Sequence, residues 1–163
     1  MKVLGLDPGI RKTGYGIVAI NNNKLQLVDT GIIKTKDKED ISKKITYIYN
    51  EVTKIIKKFN PTEAAIEDVF MSVNIRSALI LGHARGAAMI ACSNNNIDIY
   101  TYEPTLVKKT IVGRGRADKT QVAFMVGQIL GEKPDWPKDA SDALAIAICH
   151  CTIKQTMNKY NIG

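Results

Sequence analysis

Residues 2–9 read KVLGLDPG, and this short stretch starts the fold. Its odd positions from Val3 to Asp7 fall on one face of an alternating pattern, while Leu4 and Leu6 fall on the other. Alternation of this kind predicts a β-strand, which here ends at the aspartate. The Pro-Gly pair that follows predicts a turn, so the chain changes direction directly after an acidic side chain.

The rest of the chain extends this strand into a mixed α/β fold. Strands at 13–20 and 25–35 are predicted to form an antiparallel meander around an Asn-rich turn at 21–23. The other main predicted elements are strands at 64–70 and 97–102 and helices at 40–59, 74–92 and 140–153. Three meander strands, followed by strands that alternate with helices, indicate a five-stranded mixed sheet with antiparallel and then parallel strands, flanked by helices.

Length and composition favour a single domain. The chain has 163 residues, of which 45% are hydrophobic and 24% charged, so we expect one domain over 1–155 and a short, frayed, dispensable tail over 156–163. No stretch approaches the roughly 20 apolar residues that span a bilayer, so we expect a cytoplasmic protein without a membrane partner. The three cysteines lack CxxC spacing, which argues against a disulfide framework or a zinc site.

Four acidic residues stand in apolar surroundings. Asp7 ends the first strand, Glu67 lies in the run AAIEDVF, and Asp139 and Asp142 lie in KDASDALAIAICH at the start of an Ala-rich helix. Each has an ordinary structural explanation by itself, as a turn residue, a solvent-facing strand residue, or an N-cap and its partner. Together they need counter-charge, because clustered carboxylates in apolar surroundings repel one another.

Divalent cations are the counter-charge that this donor set predicts. Oxygen ligands without His or Cys partners fit Mg²⁺ or Mn²⁺ better than zinc. Two such ions, about 3.5–4 Å apart, would let one activate a water for in-line attack on a phosphodiester while the other stabilises the leaving oxygen. We therefore predict that the four acids are the metal ligands and catalytic residues, with two Mg²⁺ per site and Mn²⁺ as a substitute.

A basic segment precedes one of the predicted helices. The stretch VKKTIVGRGRADK concentrates five cations around two glycines: Lys108, Lys109, Arg114, Arg116 and Lys119. Asp118 and Gln121 form a capping-box pattern, so a loop and a helix N-terminus can approach phosphates here. The net charge of +7 also favours a polyanionic partner, although solubility alone explains such a charge and a solvated loop is the alternative. Weaker candidates for DNA binding are Arg11, Lys12, Arg76 and Arg85.

Five motifs in this order resemble RuvC-type Holliday junction resolvases: LGLDPGIRKTGYGI, AAIEDVFMSVN, LGHARGA, VKKTIVGRGRADKTQV and KDASDALAIAICH. The resemblance spans about residues 2–153, whereas LGLDPG alone would equally suggest another ribonuclease H-like nuclease or the phosphate loop of an actin-like ATPase. The ATPase alternative fails on length, because that fold needs two such domains around its nucleotide. The resemblance implies a ribonuclease H-like fold and an endonuclease that resolves Holliday junctions by paired symmetric nicks, in homologous recombination and DNA repair.

The resemblance also implies roles for particular residues. The family's catalytic carboxylates fall on the four acids named above, and its functional lysines fall on Lys108 and Lys119. An aromatic residue at the position of Phe70 is thought to stack on bases at the open junction centre, although a core role is the ordinary one for an aromatic side chain. Membership of this pathway implies cooperation with branch-migration motor proteins of the RuvA and RuvB type.

Clean resolution of a four-way DNA junction requires two cuts on strands of like polarity, whereas this chain supplies one acidic cluster. A twofold homodimer solves this geometry. Ala78, Gly82 and Gly86 recur at four-residue steps along the helix predicted at 74–92 and form a candidate dimer contact. Packing of that helix on its own sheet would use small residues in the same way.

Two other functions stay open on the residues alone. One is a ribonuclease H-like nuclease acting on structured RNA, which shares the LGLDPG strand and the carboxylates. The other is a non-catalytic, structure-specific nucleic-acid-binding module, in which the acids are only caps and turn residues. The first predicts a preference for RNA over a DNA junction, and the second predicts no metal-dependent cutting.

Overall fold

The computed structural model describes residues 1–68 and 74–160. The strands in this part of the chain are β1 (Lys2–Asp7), β2 (Lys12–Asn21), β3 (Lys24–Lys34), β4 (Glu63–Glu67) and β5 (Asp98–Tyr102). The helices are α1 (Ile41–Phe59), α2 (Ile75–Asn94), α3 (Pro104–Val112), α4 (Lys119–Leu130) and α5 (Lys138–Tyr160). The types and the order of the predicted elements are confirmed.

The sheet has the strand order β3-β2-β1-β4-β5. β1, β2 and β3 form the antiparallel meander, whereas β4 runs parallel to β1 and β5 runs parallel to β4. The predicted five-stranded mixed sheet is therefore confirmed. Since β1 and β4 are parallel neighbours, their carboxyl ends meet at the same edge of the sheet.

The strand predicted over 64–70 is shorter in the structure. β4 ends at Glu67, because its partner β5 ends at Tyr102, close to Pro104 where α3 begins. The last pairing interaction comes just beyond, where the Asp68 amide donates to the Tyr102 carbonyl at 2.8 Å. Phe70 lies outside the described residues.

The last helix begins earlier and ends later than predicted. The Ser141 amide donates to the carbonyl of Pro137 at 2.9 Å, so Asp139 lies inside the first turn and is not the N-cap. At the other end, residues 156–160, predicted as a frayed tail, continue the helix. No proline or glycine interrupts the chain between 154 and 160, and the Lys, Gln and Met residues there favour a helix.

Two cores lie on opposite faces of the sheet. Val3 and Ala65 pack in the cluster on the α5 side, where α3 and α4 cover the outside of α5. Leu4 and Ile66 pack in the cluster under α1 and α2. The predicted alternation along β1 is therefore confirmed, and it turns Asp7 toward α5.

α5 packs so close to β1 and β2 that the glycine positions there have no room for a side chain. A Cβ atom on Gly5 would meet the Ala143 carbonyl oxygen, and it would lie 2.9 Å from the Cβ atom of Ala147. A Cβ atom on Gly16 would lie 2.6 Å from Leu144 Cδ2. Glycines on β1 and β2 therefore form a bare strip on which α5 rests.

Two further observations concern the chain as a whole. Across the described ranges, no helix combines the length and the apolar character that a membrane span requires. Cys92, Cys149 and Cys151 are buried as free thiols.

Replacement of Gly5 by Ala tests the close approach of α5. Because the added methyl group would overlap the α5 backbone, we expect Gly5→Ala to lower the free energy of unfolding by about 1–3 kcal/mol. Gly115→Ala is the matched control, because its Cβ would lie 3.5 Å from the nearest atom, the Thr105 oxygen. Urea unfolding measures both variants, and equal stabilities would contradict the packing described here.

Candidate active site

Two of the predicted acids lie side by side at the edge of the sheet. Leu6 of β1 is paired with Ile66 of β4, so the next residues, Asp7 and Glu67, end two adjacent parallel strands. Strand alternation turns both side chains to the α5 face. The strand register alone therefore places these two acids side by side, although they are sixty residues apart in sequence.

α5 brings the other two acids to the same edge. Gly14 of β2 is paired with Asp7, and a Cβ atom on Gly14 would overlap the backbone carbonyl of Asp139. The first turn of α5 therefore lies directly over the end of β1. Asp142 follows on the same helix and lines one cavity with Asp7 and Glu67, with a volume of about 210 Å³.

The carboxylates are electrostatically coupled. Burial and the negative charges of the neighbouring acids Asp142, Glu67 and Asp139 together raise the pKa of Asp7 to about 7, and Lys119 partly opposes them. Burial and the charge of Asp142 also raise the pKa of Glu67. The charges of the other three acids therefore act on Asp7, which argues against the interpretation of the acids as separate caps and turn residues.

Lys119 supplies positive charge inside this cluster. Its Nζ atom donates to Asp142 Oδ2 at 2.8 Å, and Lys108 lines the same cavity from α3. The Asp118 side chain accepts from the Gln121 amide and Gln121 bonds back, so the predicted capping box is formed and holds the first turn of α4. The two lysines that lower the pKa of Glu67 are those singled out by the family resemblance.

The donor set fits a hard divalent cation, although the ligands are not preassembled. Within 1–68 and 74–160, no three Asp, Glu, His or Cys side chains are grouped as a ready metal-binding site. The donors around the cavity are nevertheless carboxylate oxygens only, which suits Mg²⁺ or Mn²⁺. Burial is the largest cause of the raised pKa of Asp7, and the negative charges of the neighbouring acids add to it against the opposing charge of Lys119.

Comparison with known proteins identifies the family. The sequence matches the family described as "Crossover junction endodeoxyribonuclease RuvC" over residues 3–150. The RuvC of Lawsonia intracellularis is 50% identical over 159 residues, which cover 98% of this chain and 95% of that protein. The chain belongs to the RuvC family of crossover junction endodeoxyribonucleases.

Solved RuvC structures share the fold. The Thermus thermophilus RuvC structure has a TM-score of 0.88 at 33% identity, covering 96% of each chain. The T. thermophilus RuvC in complex with a Holliday junction substrate has a TM-score of 0.90 at 34% identity, again covering 96% of each chain. The predicted ribonuclease H-like fold is therefore confirmed, and the chain is a nuclease of a metal-dependent family.

The other predicted DNA-binding residues that the structure describes are exposed basic side chains. Lys109, Arg114 and Arg116 are exposed on α3 and on the loop that joins α3 to α4, and Arg76 is exposed at the start of α2. Of the basic side chains that the structure describes, Lys108 and Lys119 line the carboxylate cavity. Phosphate contact by the remaining basic residues stays a prediction.

The sequence analysis named Arg85 only as a weaker DNA-binding candidate and missed its structural role at the site. Arg85 of α2 donates from Nε to the Glu67 carbonyl at 3.4 Å and from its guanidinium to Asp68 Oδ1 at 3.3 Å, so it braces the end of β4. The glycines of β1 and β2 also escaped notice. Their alternate spacing, at 14 and 16, was the available signal for a closely packed helix.

The charge cluster predicts an unusual gain in stability when Asp7 is neutralised. A carboxyl group with a raised pKa in the folded state contributes stability that is lost as pH rises from about 4 to about 7. We therefore expect Asp7→Asn to raise the free energy of unfolding at pH 8 in EDTA by about 2 kcal/mol, and much less at pH 4.

Asp118→Asn is the matched control for this measurement. Asn caps a helix about as well as Asp, so the free energy of unfolding of Asp118→Asn should equal that of the wild type at both pH values. A loss of stability in Asp7→Asn at pH 8 would show that burial and the neighbouring acids do not disfavour the charged form of Asp7.

Proposed function

We propose that the chain is a structure-specific endonuclease that resolves Holliday junctions by paired symmetric nicks, in homologous recombination and DNA repair. The observation that carries this proposal is the coupled cluster of Asp7, Glu67 and Asp142 beside two lysines, in a chain of the RuvC family. A Thermus relative of 34% identity was solved with a Holliday junction substrate, which supports the choice of DNA.

The cofactor of this reaction is Mg²⁺, with two ions per site and Mn²⁺ as a substitute. Its ligands are the four acids: Asp7, Glu67, Asp139 and Asp142. Bound divalent cations supply Lewis-acid stabilisation of the charge that develops on the phosphate during hydrolysis. The surplus negative charge of the cluster and its oxygen-only donors support this assignment.

The basic residues hold and orient the DNA backbone. Lys119 neutralises Asp142 in the folded protein and lies close enough to the cavity to contact a phosphate once Asp142 takes another partner. Lys108 reaches the same cavity from α3. More distant phosphate contacts come from the exposed cations Arg76, Lys109, Arg114 and Arg116, and Phe70 stacks on bases at the junction centre.

A homodimer supplies the second cut. The candidate contact on α2 is open in the structure, since no described atom outside the helix's own backbone lies within 4 Å of a Cβ built on Gly82 or Gly86. Ile75, Leu79 and Ile90 expose 78%, 62% and 56% of their surfaces on the same helix, which is apolar area that a partner copy would cover. Sedimentation at micromolar concentration tests the dimer, and a monomer mass would contradict it.

The remaining partners follow from the pathway. Branch-migration motor proteins of the RuvA and RuvB type deliver the junction and move it, and the reaction takes place in the cytoplasm. Family membership supports both assignments.

Replacement of Asp7 by Asn tests the reaction and the substrate together. With a synthetic mobile four-way junction and Mg²⁺, the wild type should make two symmetric, ligatable nicks and spare linear duplex. Asp7→Asn removes a charge without adding bulk, so we expect cleavage to fall at least a hundredfold while junction binding stays intact, as measured by gel shift.

Three outcomes would contradict parts of this proposal. Near-normal cutting by Asp7→Asn would remove the residue from the site. Preferential nicking of folded RNA by the wild type would favour the RNA nuclease. Binding without any metal-dependent cutting by the wild type would favour the non-catalytic binding module.

Replacement of Lys119 by Ala tests the role of the cavity lysine. Loss of one phosphate contact should lower the slope of log binding constant against log salt by about one unit, and cleavage should slow. Lys57→Ala is the matched control, because Lys57 is exposed on α1, on the other face of the sheet. Unchanged binding and turnover in Lys119→Ala would exclude it from DNA contact.

A further inference from the structure

A hydrogen-bonded chain lies behind the carboxylate cluster and takes no part in the site described above. His150 of α5 is fully buried, and both of its ring nitrogens are bonded. Nδ1 lies 2.6 Å from the Tyr102 hydroxyl, and Nε2 lies 2.6 Å from Glu63 Oε2. One histidine thus joins the helix to two different strands, β4 and β5.

The donors and acceptors in this chain fit one protonation pattern. Burial lowers the pKa of His150 and raises the pKa of Tyr102 to about 12, so the imidazole is neutral and the hydroxyl keeps its proton. Tyr102 then donates to Nδ1, and the Nε2 proton is donated to the Glu63 carboxylate. Lys154 donates to the other Glu63 oxygen at 3.0 Å, which completes the chain.

The hydrogen-bonded chain is connected to the active site through Tyr102 and through His150. Tyr102 is the paired neighbour of Glu67 in the β4–β5 ladder, and the Asp68 amide donates to the Tyr102 carbonyl at 2.8 Å. His150 follows Asp142 by two helical turns on α5, roughly 12 Å along the axis. The hydrogen bonds therefore link the strand that carries Glu67 to the helix that carries Asp142.

β4 lacks the glycines that bring α5 against β1 and β2. It faces α5 with Ala65, which packs in the same core cluster as α5. Two short hydrogen bonds from one buried ring have fixed direction and length, so they add a directional constraint on how β4 and β5 lie against α5.

We propose that His150, held between Tyr102 and Glu63, is a positioning residue that sets the separation between Glu67 on β4 and Asp142 on α5. The inference deepens the proposed function and rests on it, because it concerns the alignment of the same carboxylates. None of the three residues lines the carboxylate cavity. They act through the two elements that carry the ligands.

Tyr102→Phe is the sharpest test, because it removes one hydroxyl from this chain and keeps the ring. We expect the single-turnover cleavage rate at saturating protein and Mg²⁺ to fall about tenfold, with junction affinity in EDTA unchanged. The amide of Asp68 should exchange with solvent about tenfold faster in metal-free protein, because its acceptor strand is no longer fixed to α5.

Tyr15→Phe is the matched control. Its hydroxyl donates to Asp29 Oδ2 at 2.9 Å on the opposite face of the sheet, so it removes a comparable bond between a tyrosine and a polar side chain. We expect it to lower thermal stability by a similar amount, without changing the cleavage rate or the exchange of the Asp68 amide at temperatures where both variants are folded.

Two substitutions of Glu63 provide the rescue test. Glu63→Gln keeps an oxygen that accepts from His150 Nε2, so its cleavage rate should stay within about threefold of the wild type. Glu63→Ala removes the acceptor, so its cleavage rate should fall about tenfold or more. This order separates a positional role from loss of charge, because both variants lose the ion pair with Lys154.

The outcomes separate this inference from the function on which it rests. Equal cleavage rates in Tyr102→Phe, Tyr15→Phe and wild type would overturn the positioning role and leave the nuclease assignment intact. Equal losses in Glu63→Gln and Glu63→Ala would also overturn it. A wild-type protein that does not cut junctions contradicts the proposed function, and the Asp68 exchange measurement then still decides whether His150 holds β4.

Discussion

The close contact between α5 and the first two strands is the constraint on which the rest of the structure depends. Gly5 and Gly16 leave no side chain between the strands and the helix, and the backbone of Asp139 rests directly over Gly14. A helix at ordinary distance from a sheet would hold its first turn several ångström farther from Asp7. The same contact that packs the core therefore brings the acids together.

The acids are unfavourable for the fold and are tolerated because of what surrounds them. Asp7 is partly buried among three other carboxylates, and its pKa is raised to about 7 as a result. Lys119 offsets part of this repulsion by its bond to Asp142, and Arg85 braces the end of β4 from the other side of the sheet. Conflict between charge and burial of this kind is typical of a functional site, where local stability is lost in return for reactivity.

Much of this arrangement was predictable from particular residues. The alternation in KVLGLD predicted the face on which Asp7 lies, and the spacing of Asp118 and Gln121 predicted a capping box that the structure contains. The end of α5 was predicted too early, because seven further residues of neutral or favourable helix propensity carry no stop signal. His150 had no distinctive sequence context, since a histidine in an apolar helix can face solvent, core or metal. Its two partners lie forty-eight and eighty-seven residues away.

The sequence by itself determined the types and the order of the elements and the face of β1 on which Asp7 lies, and it predicted the acids as ligands, because these depend on local periodicity and on residue chemistry. The family resemblance, and no local pattern, singled out Lys108 and Lys119. Only the tertiary structure decided which of those groups meet. Strand register placed Asp7 beside Glu67, the bare glycines set the height of α5, and the bond between Lys119 and Asp142 arose from the docking of α4. Distances between residues far apart in sequence depend on the packing of whole elements, which no local pattern encodes.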